Sequence, residues 1–446
     1  MNTTMTPHTH RPPASRRGTN PLQRQAGVAT LVVVLLLFFI MSLVAAYASR
    51  NLIFEARTSA NQYRSTQSHE ATEAGLEWAT AMLNGGRIGD DCLPTVDTTR
   101  NAFRQRYLNT DTATGVILPQ PNASNPANRL WTACSFDGAN WTCRCPTGAL
   151  AATDLPAGRS AFAVRFVQQT SKPGHVRVEV NGCNSYDLTC LQAEISTFSP
   201  FVCRSSACAM LALSSGAKAS PTAAVVARLG VDGSALSVVN QHEGAAGITV
   251  HSGGSVSVAS LALASLPGTP PQQSLRANDS ILAAVPDDSA DCDLCTFATT
   301  FGVRPATYRR QMGTLNLNCA TPCSAADVNS LLASARGRVV YVSGVGGLTI
   351  DDPAAAIGAA TDPVVLVVDG PLVVTSTAST GARIHGLVYA NSASLSGGEI
   401  RGSLVTPGSV TGAGPAKVVY DGAALARLRL TSGTFARVPG SWRDFP

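Results

Sequence analysis

Charged residues are scarce in this chain of 446 residues, and lysine is nearly absent. Asp, Glu, Lys and Arg together make up 14% of the chain, and of the 33 basic residues only Lys172, Lys218 and Lys417 are lysines. No lysine follows a glycine, so the sequence has no phosphate-binding P-loop. The glycine pattern of dinucleotide-binding folds and the GxSxG element of hydrolases are missing as well. We therefore expect no catalytic residue, no enzyme activity and no cofactor.

Excess positive charge is confined to the N-terminus. The net charge is +5, but the first 27 residues contain four arginines and no acidic residue. The remaining chain has 29 basic against 28 acidic residues, which leaves it close to neutral. Nucleic-acid binding requires a basic surface, so we expect no nucleic-acid partner.

Cysteine does not occur before position 92 and is frequent after it. In a reducing cytosol such a density would indicate metal sites, but an exported body uses cysteine for disulfides. The zinc-ribbon-like spacing of the last four is interpreted in the same way, and we expect no metal ligand among them. The even count allows up to six disulfides among Cys92, Cys134, Cys143, Cys145, Cys183, Cys190, Cys203, Cys208, Cys292, Cys295, Cys319 and Cys323.

The residues Val28–Ala48 form an apolar run without charge, proline or glycine. At about 1.5 Å per residue, such a helix spans roughly 30 Å, the thickness of the bilayer's hydrocarbon core. The preceding arginines favour a cytoplasmic N-terminus, so this transmembrane segment predicts a single-pass inner-membrane protein with a periplasmic body. Two alternatives remain open: a signal peptide cut after Ala48, and an ordinary membrane anchor.

The helix is predicted to continue beyond the membrane. From Leu52 to Met82, residues of one face recur at spacings of three to four, which is typical of an amphipathic helix. Asn84-Gly85-Gly86 supplies the stop. The predicted helix therefore comprises residues 28–84, preceded by a leader peptide at 1–27.

Three short elements of this helix resemble the type IV pilin superfamily, and the PilX-type minor pilins within it. They are Gly27-Val28-Ala29 at the start of the apolar run, Glu55-Ala56-Arg57, and the stretch Ala71–Glu77. A second, weaker resemblance is Val438–Asp444, VPGSWRD. The resemblance covers about sixty residues.

The resemblance implies that prepilin peptidase cuts after Gly27 and methylates Val28. The implied partners are this peptidase, other minor pilins and the major pilin through the helix, a tip adhesin, and membrane lipid before assembly. The fifth mature residue is Val32, where major pilins carry a glutamate that pairs with a neighbour. We therefore predict a minor pilin that initiates assembly and lies at the pilus tip on the cell surface, with a tip-type pseudopilin of type II secretion as the alternative.

Residues 85–210 are predicted to form a disulfide-rich pilin-like head. Ala161–Gln169 and His175–Asn181 alternate in polarity around a Lys-Pro-Gly turn, which predicts a hairpin. Ala193–Val202 is a further candidate strand. Cys183 with Cys190 and Cys203 with Cys208 are plausible local pairs, and the four earlier cysteines would form two more. We expect this sheet to pack on the amphipathic helix.

Residues 211–446 are predicted to form a β-rich C-terminal domain. Short apolar runs rich in β-branched residues alternate with Gly and Ser, without a strict period, and favour a parallel β-solenoid over a β-sandwich. Residues 286–336 are a predicted cysteine-containing insertion. Its acidic run offers a weak calcium candidate, and paired carboxylates on such a domain leave a polysaccharide-acting enzyme as an alternative. The calcium candidates are Asp287, Asp288, Asp291 and Asp293.

Overall fold

The computed structural model describes residues 26–120, 130–156, 158, 160–192, 204–258, 261–288, 292–334, 337–375 and 381–443. The chain contains two compact units, Met1–Tyr63 and Arg64–Pro446. Helix α1, Ala26–Leu83, begins in the first unit and ends in the second. The predicted long helix is thereby confirmed, and the backbone N–H groups of Asn84 and Gly85 close its last turn on the carbonyls of Ala81 and Met82.

A six-stranded antiparallel sheet forms the head. Its strands, in their order across the sheet, are β23 (Gly433–Arg437), β7 (Arg204–Ser215), β6 (His175–Cys183), β5 (Ser160–Gln168), β3 (Thr132–Phe136) and β4 (Trp141–Arg144). Its β5–β6 hairpin confirms the predicted one, with Ala161 paired to Cys183 and Gln168 to Val176. The candidate strand Ala193–Val202 lies outside the described residues.

Short elements link α1 to this sheet. They are α2 (Phe103–Tyr107), the antiparallel pair β1 (Leu108–Thr110) and β2 (Ile117–Pro119), and α3 (Leu188–Leu191) after β6. The described part of the head buries α2 almost completely, including Phe103 and Tyr107.

Helix α1 packs on the sheet through small residues. Alternate residues of β5 and β6, among them Phe162 and Val180, share one buried cluster with Leu76 and Leu83 of the helix. A Cβ atom at Gly182 of β6 would lie 2.2 Å from the backbone oxygen of Ser68. The backbones of helix and strand therefore approach as closely as the absence of a side chain permits.

Fifteen strands between Val225 and Tyr420 form one sheet in which they pair in parallel, as the favoured solenoid interpretation predicts. The strands fall into three stacks. The first contains β14 (Thr314–Asn318), β15 (Val339–Ser343), β18 (Val364–Val374), β19 (Arg383–Leu395), β20 (Glu399–Thr406), β8 (Val225–Ala227), β11 (Val250–Ser252) and β13 (Leu275–Arg276).

The other two stacks share long strands with the first: the second shares β18 and β19, and the third shares β19 and β20. The second stack adds β16 (Leu348–Ile350), β21 (Ser409–Ala413) and β9 (Gly230–Ser234). The third stack adds β17 (Ala356–Ile357), β22 (Lys417–Tyr420), β10 (Leu236–Val239) and β12 (Leu261–Ala264). Aliphatic side chains from all three stacks fill one interior core.

The chain does not wind this stack from one end to the other. It enters in the middle at β8, proceeds outward to β13, and then returns through β14 at the opposite end. Strands β20 and β22 finally pair with β8 and β10, which closes the stack. Short helices lie on this path: the 3-10 helices Glu243–Ala245 and Pro271–Ser274, α4 (Ser280–Ala283), α5 (Thr296–Phe301), α6 (Pro305–Arg309) and α7 (Ala325–Leu332).

Residues 286–336, which were predicted as an insertion, contribute a strand and core residues to the solenoid. They supply β14, the terminal strand, and α7, whose Val328 and Leu332 join the interior core. Helices α5 and α6 lie with α8 (Gly422–Thr431) on the outer surface of the first stack. There Phe297 packs against Tyr389 of β19, and Tyr308 packs against Phe297.

The division expected at residue 210 differs from the observed strands. Strand β7 continues to Ser215, and β23 returns from the far end of the chain to pair with it, Ser215 opposite Gly433. The solenoid is therefore inserted between two adjacent strands of the head. The division expected at residue 210 was based on local composition. Local composition does not show that residues so far apart in the sequence are paired.

Asn84 connects the end of α1 to β23. Its side chain donates to the carbonyl of Phe435 at 2.8 Å and accepts from the Phe435 N–H at 2.8 Å. We expect Asn84→Ala to lower the free energy of unfolding by about 2 kcal/mol, because it leaves buried backbone groups without partners. Chemical denaturation would measure the loss. Asn140→Ala, on an exposed turn, is the matched control, and an equal effect of both would contradict the role assigned to Asn84.

Candidate functional site

The first candidate site is the junction between Gly27 and Val28. Both residues lie within the first turn of α1. Nearly all of the leader, residues 1–25, lies outside the described residues. The junction thus lies at the start of the described part of α1, and its cleavage stays a prediction from the resemblance.

The apolar half of α1 exposes its side chains on all sides. Phe38 is 69% exposed, Phe39 64% and Val32 50%, and no charged residue lies between Val28 and Ala48. The helix is long and apolar enough to cross a membrane, with a mean hydropathy of 3.0 in its most apolar stretch. A helix that is apolar all round needs lipid or other helices around it. The segment is therefore compatible with membrane anchoring.

The two stretches that carry the resemblance in the body come together in the structure. Glu73, in the Ala71–Glu77 stretch of α1, accepts a hydrogen bond from the indole N–H of Trp442 at 3.0 Å. Glu77 pairs with Arg437 at 2.6 Å. The last described strand and the residues after it thus bind to α1, the helix that contains the N-terminal motif. Asp444 lies outside the described residues.

A buried arginine supports this junction and has no signature in the sequence. Arg104 of α2 is 9% exposed, and its guanidinium donates to the carbonyls of Leu83 and Gly433 at 2.9 and 3.1 Å. The group also lies over the ring of Phe435, 5.3 Å from its centroid. Burial lowers the pKa of Arg104 to about 10. One side chain therefore ties the helix end, α2 and β23 together.

In the described part of the chain, five disulfides join ten of the twelve candidate cysteines. In the head they are Cys92–Cys145, Cys134–Cys143 and Cys183–Cys190; in the solenoid, Cys292–Cys295 and Cys319–Cys323. The last four cysteines therefore form two local disulfides and do not share a metal site. Cys208 is unpaired among the described residues, and its expected partner Cys203 lies outside them.

The acidic run does not form a calcium cage among the described residues. Asp293 forms an ion pair with Arg304, and Asp288 accepts from the backbone N–H of Phe297 at 3.1 Å. A carboxylate oxygen of Asp288 lies within 4.8 Å of the sulfur atoms of Cys292 and Cys295. Those two sulfur atoms are joined in a disulfide, so they are not free to bind a metal ion as thiolates. The backbone carbonyl oxygen of Asp287 lies 3.8 Å from the sulfur atom of Cys292. Asp291 lies outside the described residues.

The carboxylates of Asp288 and Asp369 line the same cavity on the outer surface of the solenoid. Asp288 accepts from the hydroxyl of Tyr389, while Asp369 accepts from Tyr341 at 3.3 Å and from Asn391 at 3.1 Å. They line a cavity of about 220 Å³ beneath α6. Burial is the main cause that raises the pKa of Asp288, and the neighbouring Asp369 adds to it. Asp288 stands in the acidic run singled out in the sequence, whereas no sequence pattern marked Asp369.

The raised pKa of Asp288 predicts a pH-dependent stability. The folded state favours the protonated form, so its contribution is present below the unfolded pKa and is lost as pH rises through the folded pKa. We expect Asp288→Asn to raise the melting temperature at pH 7, and the gain to vanish as pH falls to about 4. Asp293→Asn is the control. Arg304 lowers the pKa of Asp293, so this change should give no gain. A gain for Asp288→Asn that is the same at both pH values would contradict the prediction.

Comparison with known proteins finds a similarity in the N-terminal part of the chain. Residues 26–77 match the family model described as PilX N-terminal. Among solved structures, the chain is similar to the competence-associated pilin ComZ from Thermus thermophilus, at 12% identity over 85% of this chain and 97% of that chain, with a TM-score of 0.24. A search of curated proteins gives no match.

Proposed function

We propose that the chain is a minor pilin of the type IV pilin superfamily, which helps to initiate pilus assembly and lies at or near the filament tip. The observation that carries the proposal is the match over residues 26–77, on a helix whose apolar half is uncharged and exposed. The role is structural and not enzymatic.

Processing releases the helix for assembly. Prepilin peptidase cuts after Gly27 and methylates the new amine of Val28. The apolar half of α1 holds the subunit in the inner membrane, with the body in the periplasm. Contacts with the helices of other minor pilins and of the major pilin then replace lipid contacts, because an apolar helix needs one or the other.

Val32 supports a place at the tip. A carboxylate in the bilayer costs about 2.5–3.5 kcal/mol on insertion scales unless it is paired. A subunit that has no neighbour above it gains nothing from such a group. The disulfide-linked head and the inserted solenoid then project from the tip, where they present a surface to an adhesin or to another partner.

The mature N-terminus tests the proposal. Mass spectrometry of the native protein should find a methylated Val28 as its first residue. An intact Met1, or a start after Ala48, would refute pilin processing. Immunogold labelling of purified filaments should place the protein at one end, and regular labelling along the shaft would refute the tip position.

The alternative of a secretion pseudopilin shares the same helix and processing. A deletion strain separates the two: we expect loss of surface pili with secretion unchanged, whereas the reverse phenotype would favour the pseudopilus.

The alternative of a polysaccharide-acting enzyme requires two carboxylates that are free to act. Asp288 and Asp369 are instead engaged by Tyr389, Tyr341 and Asn391. This network supports a structural role for the pair, which joins the segment before α5 to the solenoid wall.

A further inference from the structure

One cavity of the head lies on the outer face of its sheet, opposite α1. Its volume is about 590 Å³, within the range of about 300–1,000 Å³ typical of ligand pockets. Strands β6 and β7 form its base, and the segment 438–443 forms one wall. That wall is fixed by the backbone of Arg443, which exchanges two hydrogen bonds with Cys208 at 2.8 and 2.9 Å.

Positive charge is concentrated in this cavity. Arg165, Lys172, Arg177 and Arg443 line it, and Glu179 is the one acidic residue among the described lining residues. Glu179 is shared by Arg165 and Arg177, at 2.6 and 2.5 Å. Four cations against one carboxylate leave a net charge of +3, whereas the whole chain outside the leader carries about +1. The lining of the cavity is therefore more basic than the nearly neutral body around it.

A donor in the cavity remains unused. The Nε atom of Arg177 is buried and has no hydrogen-bond partner in the described part of the chain. An unpaired buried N–H of a charged group costs free energy, and an incoming carboxylate oxygen would satisfy it.

The rest of the lining selects among anions. Met210, Val438 and Pro439 give the cavity an apolar side. None of its described lining residues is Phe, Tyr or Trp, the residues on which single-stranded nucleic acids stack their bases. An apolar side next to cations suits a peptide in which acidic and apolar residues alternate, more than it suits a nucleic acid.

We infer that this cavity binds an acidic, partly apolar peptide segment of a partner protein. A carboxylate of the segment meets Arg177 and Arg443, and an apolar side chain rests on Met210 and Val438. The inference goes beyond the proposed function, since it holds whether or not the chain lies at a filament tip.

Fluorescence anisotropy with the full-length protein in detergent tests the inference. The probe is a labelled, end-blocked peptide of sequence EVEVE. We expect saturable binding by the wild type and at least a tenfold weaker binding by the double variant Lys172→Glu/Arg443→Glu. Both side chains are exposed at the rim, and the backbone bonds of Arg443 do not depend on its side chain. The reversed-charge peptide KVKVK should bind the double variant and not the wild type.

The matched control is Arg310→Glu/Arg429→Glu, which reverses two exposed arginines outside the cavity. It makes the same change in net charge and should leave the affinity unchanged. Equal weakening by both double variants would overturn the inference, because it would show a non-specific charge effect. The absence of saturable binding by the wild type would also overturn it, and so would tighter binding of a labelled single-stranded oligonucleotide than of EVEVE.

Discussion

Gly182→Ala is expected to destabilise the head by about 3 kcal/mol, the upper part of the usual range for an overpacked core. The added Cβ atom would lie 2.2 Å from both the backbone oxygen of Ser68 and the hydroxyl oxygen of Thr72, and 2.6 Å from the Thr72 backbone nitrogen. Two of these three atoms belong to the backbone of α1 and cannot rotate away. The helix must therefore move off the sheet, which opens the core that holds Phe162 and Leu83.

Two other glycines calibrate this prediction. Gly148→Ala introduces the same methyl group where no atom lies within 4 Å, so we expect a change within about 0.5 kcal/mol. Gly75→Ala meets chiefly the side chains of Val180 and Phe162, which can adjust, and an intermediate loss should follow. Chemical denaturation of the three variants would give the order. A loss for Gly182→Ala no larger than for Gly148→Ala would refute the close packing.

Gly27→Ala is expected to abolish processing and to leave the full-length protein in the membrane. The resemblance makes glycine at this position the residue that prepilin peptidase requires. Alanine favours a helix over glycine by about 1 kcal/mol, so the change does not weaken α1. Any loss of the mature form therefore reports the cleavage reaction and not the fold. Intact-mass measurement of membrane fractions would show the uncleaved chain.

Gly18→Ala is the control, because it alters another leader glycine and should be processed as the wild type is. If Gly27→Ala were cleaved between residues 27 and 28 as efficiently as the wild type, the assigned junction would be wrong. Surface filaments should be lost in the Gly27→Ala strain and retained in the Gly18→Ala strain.

The elements that were predictable from the sequence are those defined by neighbouring residues. The uncharged run from Val28 and the spacing after it predicted α1, and the glycines at 85 and 86 predicted its end. The alternation around the Lys-Pro-Gly turn predicted the β5–β6 hairpin. In each case the signal lies within a window of a few turns or a few residues.

The order of the solenoid coils was not predictable, because their lengths differ. Partners in the first stack are separated by 25 residues (Thr314 and Val339), 26 (Val339 and Val365), 22 (Val365 and Leu387) and 16 (Leu387 and Ser403). Such spacing erases a repeat in the sequence while it preserves the stacking of strands. The strand composition could predict the class of fold but not which strand pairs with which.

The side-chain clusters were not predictable either, because their members are far apart in the sequence. Asp288 belongs to an acidic run that suggested calcium, yet its partner Tyr389 lies 101 residues away. Glu73 and Trp442, each singled out within a motif, are separated by 369 residues and still meet. A single sequence shows which residues can donate or accept, but only the fold shows which of them face each other.

The pairing of Ser215 with Gly433 has a consequence for how such a chain can vary. The solenoid leaves the head and returns to it at two directly opposed residues, as a turn does in a hairpin. The entropy cost of closing a loop grows only with the logarithm of its length, about 0.6 kcal/mol for each doubling. The head sheet therefore tolerates an insert of nearly any size at this point, provided that the insert folds by itself. The inserted domain can therefore change in size and surface while the helix and the head sheet stay the same.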